Sequence, residues 1–385
     1  MKLEGIRVVD LSLFLPGPAM TQAMADHGAE VIKVEPPGGE PNREIGLKRD
    51  GVSVFFANTH RGKRSLVLDL KTADGVEALL RLAERADVFV ESFRPGVVDR
   101  LGVGYAAVSA RNPRIVYASI SAYGQTGPYR GGPAHDLAVE AMAGILSVNL
   151  GWDDRPCSPA IAAADMLAAN MALAGVLMAL LRRERTGRGD YVDVAMMDSL
   201  IAAMPNNYGP PLAEKRQPVA KDERSWGGNA MYRLYETSDG RFVALGGAEI
   251  KFAGNLLSAL GRPDLVELCR LPPGPGHQPV RDFLEQAFRE KTRDGWVAWM
   301  ADKDVAFAPV NGLREGLDDP QVRHREMVVE DGRGWEHIGL PVKFTDEPGR
   351  VDPALPERGE HSEEILRALG YGEAELRAMK ASGVF

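Results

Sequence analysis

The sequence predicts an α/β protein: a large domain built on a parallel sheet with helices on both faces, joined to a smaller α+β domain. Three observations carry the prediction. The first third alternates short β-branched runs with amphipathic helical stretches, the pattern of repeated β-α-β units. Beyond residue 225 the pattern changes to a hairpin followed by helices. A chain of 385 residues, 44% apolar and 26% charged, has material for a substantial core and a length suited to roughly two or three domains.

The elements follow in order. Residues 6–11 are a β-branched run and read as a strand. Residues 19–28 read as a helix that stops at Gly28. Residues 30–34 form a second strand and 65–69 a third, the latter preceded by the basic turn 60–64. In the segment 73–85, Val76, Leu79, Leu80 and Leu82 share one helical face. Residues 88–91 are a strand ending in Phe93-Arg94-Pro95-Gly96, and 115–120 another ending at Tyr123-Gly124-Gln125. Two long apolar helices are expected over 136–148 and 161–185, then a strand at 191–194 and a helix from 197. The second pattern comprises a hairpin, 230–235 and 242–245, around the turn Ser238-Asp239-Gly240. Helices at 252–260, 280–292 and 295–301 and a strand at 305–309 complete it. The tail carries a strand from 338 and a helix at 362–369. The expected domains are a large one over 1–205 and 330–385, a linker at 206–224 and a small α+β domain over 225–329.

Several function classes are disfavoured. Lys plus Arg number 46 against 54 Asp plus Glu, a net charge of −8, whereas nucleic-acid-binding domains are usually basic. Two cysteines, Cys157 and Cys269, cannot make a disulfide framework or a four-thiolate metal site, and they suit a reducing, cytoplasmic setting. The seven histidines are scattered, without H-E-x-x-H or C-x-x-C spacing, so no metal site is expected. The start, MKLEGIRVVD, reads as a strand rather than a signal peptide. Residues 161–181, interrupted by Asp165 and Asn170, read as a buried core helix, and no membrane association is expected because no stretch approaches the ~18 apolar residues of a span. Leu13-Phe14-Leu15-Pro16-Gly17-Pro18 stands where a dinucleotide-binding G-x-G-x-x-G would follow the first strand, which disfavours a nicotinamide dehydrogenase.

A few residues could carry chemistry. Asp136 opens a helix, where a carboxylate is favoured by free amides; a plain N-terminal cap is the simpler reading. His135 beside it is a candidate acid or base. Asp165 lies in an apolar helix start, where it must be capped, paired or set at a cavity, and burial would raise its pKa. Glu249 follows Gly246-Gly247-Ala248 at a strand end, a place for close approach of a ligand or for an ordinary surface loop. Arg61, Lys63 and Arg64 form a basic turn and Arg94 follows another strand, both suited to phosphate or to solvent.

Together these positions resemble the family III CoA-transferases (CaiB/BaiF) and their relatives the α-methylacyl-CoA racemases, along nearly the whole chain. The resemblance rests on LEGIRVVDL with Pro16-Gly17-Pro18, on residues 28–36, on Arg61-Gly62-Lys63-Arg64-Ser65 and on Phe93-Arg94-Pro95-Gly96. Tyr123-Gly124-Gln125-Thr126-Gly127-Pro128, Arg185-Thr186-Gly187-Arg188-Gly189, Lys291-Thr292-Arg293 with Trp296, and Ala308-Pro309-Val310 add to it.

The resemblance implies a large Rossmann-like, CoA-binding domain, a small domain and an interlocked homodimer. It implies an acyl-CoA substrate, with coenzyme A as part of that substrate and no prosthetic group. Lys63, Arg64 and Arg94 match CoA-contact positions. Pro36-Pro37 stands where relatives often carry an Arg after the acid at Glu35, with Arg43 as a candidate replacement. Two chemistries are implied. The first expectation is racemase-type α-proton transfer on a 2-methylacyl-CoA, in which His135 and Asp165 serve opposite faces and Glu249 supports them. The alternative is CoA transfer between an acyl-CoA and a carboxylic acid through an aspartyl-CoA intermediate on Asp136. A non-catalytic CoA-binding protein is the reading from outside enzymology.

Overall fold

The computed structural model describes residues 1–385, in two compact units. The first comprises Met1–Ala143, Ala160–Ala203 and Pro320–Phe385; the second comprises Gly144–Pro159 and Met204–Asp319.

The first unit is built on six parallel strands in the order Arg64–Val67, Glu30–Glu35, Arg7–Asp10, Val88–Glu91, Val116–Ser121, Asp190–Ala195. Strands with both faces covered read as continuous apolar runs. Val8, Val9, Ile32, Phe89 and Val116 are accordingly all buried, each contributing on the order of 1.5–3 kcal/mol by leaving water. The register sets Val9 between Ile32 and Phe89. The strand order reverses between Arg7–Asp10 and Val88–Glu91, so the loops leaving these two neighbours diverge and open a crevice.

The helices end where local chemistry ends them. Proline at its first turn starts the helix Pro16–Asp26 three residues ahead of the expected position. The helix Val54–His60, not expected from the pattern, is capped by Ser53, whose hydroxyl accepts the Phe56 N–H. The apolar stretch 136–148 is not one helix: Asp136–Met142 stops, and Gly144, at φ +86°, turns the chain into a short 3-10 turn. The long helix Ala163–Thr186 ends at Gly187 in the left-handed conformation. It buries one face through Ala168, Ala172, Val176 and Leu180, while Met171, Leu177, Met178 and Leu181 are exposed. It is therefore not a fully buried core helix. By length and composition it is also apolar enough to cross a membrane, contrary to the sequence-based expectation.

The second unit carries a three-stranded antiparallel sheet, Phe307–Pro309, Phe242–Gly246 and Tyr232–Glu236. Tyr235, Leu245, Phe288 and Trp296 lie in its core. The Thr292 hydroxyl accepts the Gly295 N–H, and the Trp296 indole donates to the Phe288 carbonyl at 2.7 Å. The Lys291-Thr292-Arg293 motif is thus a helix start locked into a core. Three segments differ from expectation. Residues 144–159 group with the second unit, where Trp152 stacks obliquely on Phe242 and Asp154 pairs with Lys221. The expected linker 206–224 likewise belongs to this unit, and 320–329 belongs to the first.

Candidate active site

The site is assembled at the carboxyl ends of the strands of the first unit. Asp10 ends the first strand with a fully buried carboxylate. It accepts the N–H and hydroxyl of Ser12 and the hydroxyl of Thr21, and it pairs with Lys63 at 3.2 Å and Lys33 at 3.9 Å. Burial alone would raise its pKa. The two ammonium groups and the two hydroxyls outweigh burial and hold it at about 2. Lys33 reaches the Ser12 carbonyl and pairs with buried Glu40 at 3.0 Å. Gly17 permits this packing, because a Cβ there would lie 2.1 Å from the Ser12 Cβ.

The network fixes the loop that follows. The Leu13 N–H donates to the Ser92 hydroxyl at 2.8 Å, tying together the two loops that diverge at the crevice. Phe14 is held at φ 62°, unusual for a residue with a side chain. Its N–H donates to Glu40 Oε1 at 3.2 Å and its carbonyl accepts from the Asn42 amide. Its ring then meets the His135 imidazole edge-on, centroids 5.6 Å apart.

His135 is exposed and immediately precedes the helix Asp136–Met142. Asp136 Oδ1 accepts the backbone N–H of Asp165 at 3.1 Å. One turn along the same helix, Glu140 is completely buried and accepts the Ala163 N–H at 3.2 Å. Asp136 and Glu140 thus bind the first turn of the helix that carries Asp165. The Asp165 carboxyl is pushed up to about 7 by burial first, then by the charges of Asp136 and Glu140. Glu140 is raised as well, by burial and by Asp136.

The expected phosphate contacts divide. Every cation of the basic turn is already engaged. Arg61 pairs with Asp26 at 2.7 Å. The three N–H donors of buried Lys63 go to Asp10, the Thr21 hydroxyl and the Pro18 carbonyl. Arg64 bridges Glu30 and Glu364. Arg43, the candidate replacement for an Arg after Glu35, instead clamps Glu35 with two N–H groups and lies over the Phe56 ring. Arg94 is exposed in the turn after its strand. Glu249 lies in the second unit, exposed at the start of the helix Ile250–Ala259, with no capping bond from its side chain.

Sequence reading missed two parts of the site. One is an apolar cavity of about 240 Å³ lined by Leu11, Leu13, Val34, Leu68, Leu70, Phe93 and Leu101, with Lys71 also on its wall. Its lining comes from four strand ends, which only the sheet order brings together. The other is Glu140, whose signal was its spacing of four residues from Asp136, the same helix face.

Comparison with known proteins bears on this arrangement. The family model described as CoA-transferase family III matches residues 3–362. An acyl-CoA transferase of Fusarium pseudograminearum is 33% identical, over 99% of this chain and 88% of that protein. The succinyl-CoA:glutarate CoA-transferase of Mus musculus is 30% identical, over 99% of this chain and 90% of that one. The crystal structure of a CAIB/BAIF family protein from Brucella suis superposes with a TM-score of 0.83 at 30% identity, covering 95% of this chain and 99% of the other. Both named relatives are called after CoA transfer. The α-proton transfer expected first therefore lacks support, and the alternative is the better-supported chemistry.

Proposed function

The chain belongs to CoA-transferase family III, and from that premise we propose that it transfers CoA from an acyl-CoA to a carboxylic acid through a covalent adduct on Asp165. The observation that carries the reading is the setting of the Asp165 carboxyl. It is half-buried, no protein donor engages its oxygens, and it faces Asp136 and Glu140. A carboxylate raised to about 7 is more basic, hence more nucleophilic, than an ordinary one, yet still substantially ionised at neutral pH. Asp136, the residue that the resemblance pointed to, is less suited to attack because one of its oxygens is occupied by the Asp165 amide.

The steps balance without a cofactor. An Asp165 oxygen attacks the thioester carbonyl, the C–S bond breaks, and the CoA thiolate leaves a mixed anhydride behind. The thiolate then attacks the Asp165 carbonyl carbon, the bond to the acyl oxygen breaks, and the donor leaves as a carboxylate. The product is an aspartyl-CoA thioester. An acceptor carboxylate repeats the two steps in reverse, regenerating the Asp165 carboxylate. One negative charge passes through at each step, and no proton need be gained or lost.

CoA itself is proposed to lie over the carboxyl ends of the strands. The apolar cavity suits the flat face of its adenine, and the exposed cations around it are Lys71 and Arg94 on loops and Arg100 at the end of the helix Val97–Arg100. Lys63, whose donors are all used, bears on the Ser12–Phe14 loop only through Asp10, the carboxylate that Ser12 donates to. A second copy of the chain is proposed to cover the exposed apolar stripe Met171, Leu177, Met178 and Leu181.

The test is intact-mass measurement after mixing the protein with an acyl-CoA and no acceptor. A CoA-sized mass increase, released by hydroxylamine and located on Asp165 by peptide mapping, is expected. An adduct on Asp136 would reassign the nucleophile. Acyl-CoA binding with neither adduct nor transfer would return the non-catalytic reading.

A further inference from the structure

We propose that Glu140 carries a proton at neutral pH and donates it to Asp136, so that the two act as one carboxylic acid–carboxylate pair that positions Asp165. The proposal rests on Asp165 as the nucleophile. Glu140 is fully buried. Its Oε1 accepts the Ala163 N–H at 3.2 Å, whereas its Oε2 is enclosed and meets no donor. No lysine or arginine pairs with it among the ion pairs of the chain. Asp136, four residues earlier on the same helix, is itself an acceptor because it takes the Asp165 N–H.

Two acceptors that face each other without a donor are the arrangement that one shared proton satisfies. The Oε2–H of Glu140 supplies the missing donor and leaves a single charge on the pair. The surrounding groups point the same way. Asp136 and Asp165 face Glu140 from its own helix and from the long helix. The third helix packed here, Met196–Ala202, brings one titratable group, Asp198, which is exposed; His135 at the helix start is exposed too. No buried cation is present to pay for a second charge.

The pair has a mechanical role. Glu140 holds the first residue of the long helix through Ala163, Asp136 holds its third residue through Asp165, and the shared proton locks the two holders together. During transfer the Asp165 carboxylate becomes an anhydride or a thioester and loses its charge. A neutral Glu140 keeps Asp136 in place through that change. Glu140 is therefore a positioning residue that acts through Asp136 and does not touch the acyl group.

The experiment compares Glu140→Gln, Glu140→Ala and Asp165→Asn with the wild type. A glutamine keeps both hydrogen bonds and is neutral. The Glu140→Gln variant is expected to transfer within about threefold of wild type at neutral pH, with the acid limb of kcat/KM unmoved. Glu140→Ala is expected to lose about tenfold or more in kcat with little change in KM. The infrared difference between wild type and Glu140→Gln at neutral pH should contain one protonated carboxylic-acid carbonyl band, over the background that Asp165 and Glu91, both raised to about 7, give in both proteins. An acid limb displaced to lower pH in Glu140→Gln would overturn the proposal, because removing a negative charge would then have eased ionisation of Asp165. Absence of the infrared difference would overturn it equally. Asp165→Asn separates the two readings: an adduct that still forms in that variant defeats Asp165 as nucleophile, while the infrared band judges the Glu140 proton independently.

Discussion

Asp136 Oδ1 accepts the backbone N–H of Asp165 at 3.1 Å, so one acidic side chain is seated on the amide of the other. The contact makes Asp136 both an anchor for the long helix and a source of negative potential at the Asp165 carboxyl. Those two effects can be separated.

Asp136→Asn keeps an oxygen for the amide and removes the charge. The wild-type kcat/KM should rise with pH through about 7, as Asp165 ionises. In the variant this limb should move down by about one pH unit, since a neighbouring like charge is lost. A pH profile of transfer for both proteins checks it; an unmoved limb would mean that Asp136 does not act electrostatically on the titrating group.

Asp165→Asn should abolish transfer and yet stabilise the fold in alkaline solution. The folded Asp165 carboxyl is raised to about 7, whereas an unfolded chain titrates near ~3.9. The stability contribution of such a group is fully present below the unfolded value and is lost as pH rises through the folded one. Above neutrality the variant should be more stable by about 2 kcal/mol, a figure discounted for partial exposure. The gain should shrink as pH falls from about 7 and vanish only below about 4, the unfolded value. Urea melts at both pH values measure it.

Lys63→Ala and Arg94→Ala should behave in opposite ways. Removing Lys63 leaves Asp10 and Glu40 with only Lys33 in a buried network, and breaking such a pair costs on the order of 3 kcal/mol. Arg94 is exposed, so its loss should leave the melting temperature unchanged while raising KM for acyl-CoA by about tenfold, the value of one charge-assisted phosphate contact. Thermal melts and steady-state kinetics on the two variants decide the matter. A stable Lys63→Ala protein with a raised KM would restore Lys63 as a CoA contact.

Leu70→Trp places an indole in the 240 Å³ cavity. If the cavity seats the adenine, KM for acyl-CoA should rise by about tenfold or more, and an acyl thioester lacking the nucleotide should be used as before. Equal effects on both substrates would argue against that seat.

Met178→Glu places a charge in the exposed stripe of the long helix, where Met178 is 66% exposed. The wild type should scatter light as a dimer and the variant as a smaller species. An unchanged mass would show that the stripe is not the surface between copies.

The strands of the first unit were legible because a buried parallel sheet favours β-branched and apolar residues, which dominate 6–11 and 88–91, while Lys33 inside 30–34 is a charged exception paired with Asp10 and Glu40. The helix stops at Gly187 and near Gly28 were legible because a left-handed terminal residue selects glycine. The break after Met142 was missed because Gly144 sits inside an otherwise apolar stretch whose hydrophobicity continues past it. His135, Asp136 and Asp165 could be named as candidates, but their roles could not be apportioned. Nothing in the spacing of 136 and 165 says that one carboxylate sits on the amide of the other.

By itself the sequence determined the α/β class, the alternation that builds the sheet, the family and the short list of acidic residues. These follow from local propensity and from residue types that survive reading in one dimension. Tertiary structure alone decided which charges are free and which are consumed. Lys63 and Arg94 look alike in the chain, each a cation near a strand of the sheet. One is buried with every donor used and the other is exposed. The difference comes from Asp10, Pro18 and Thr21, residues 42 to 53 positions from Lys63 that the fold brings within hydrogen-bond distance. Charge, burial and pKa depend on neighbours in space, and those neighbours are set by how the strands are ordered in the sheet.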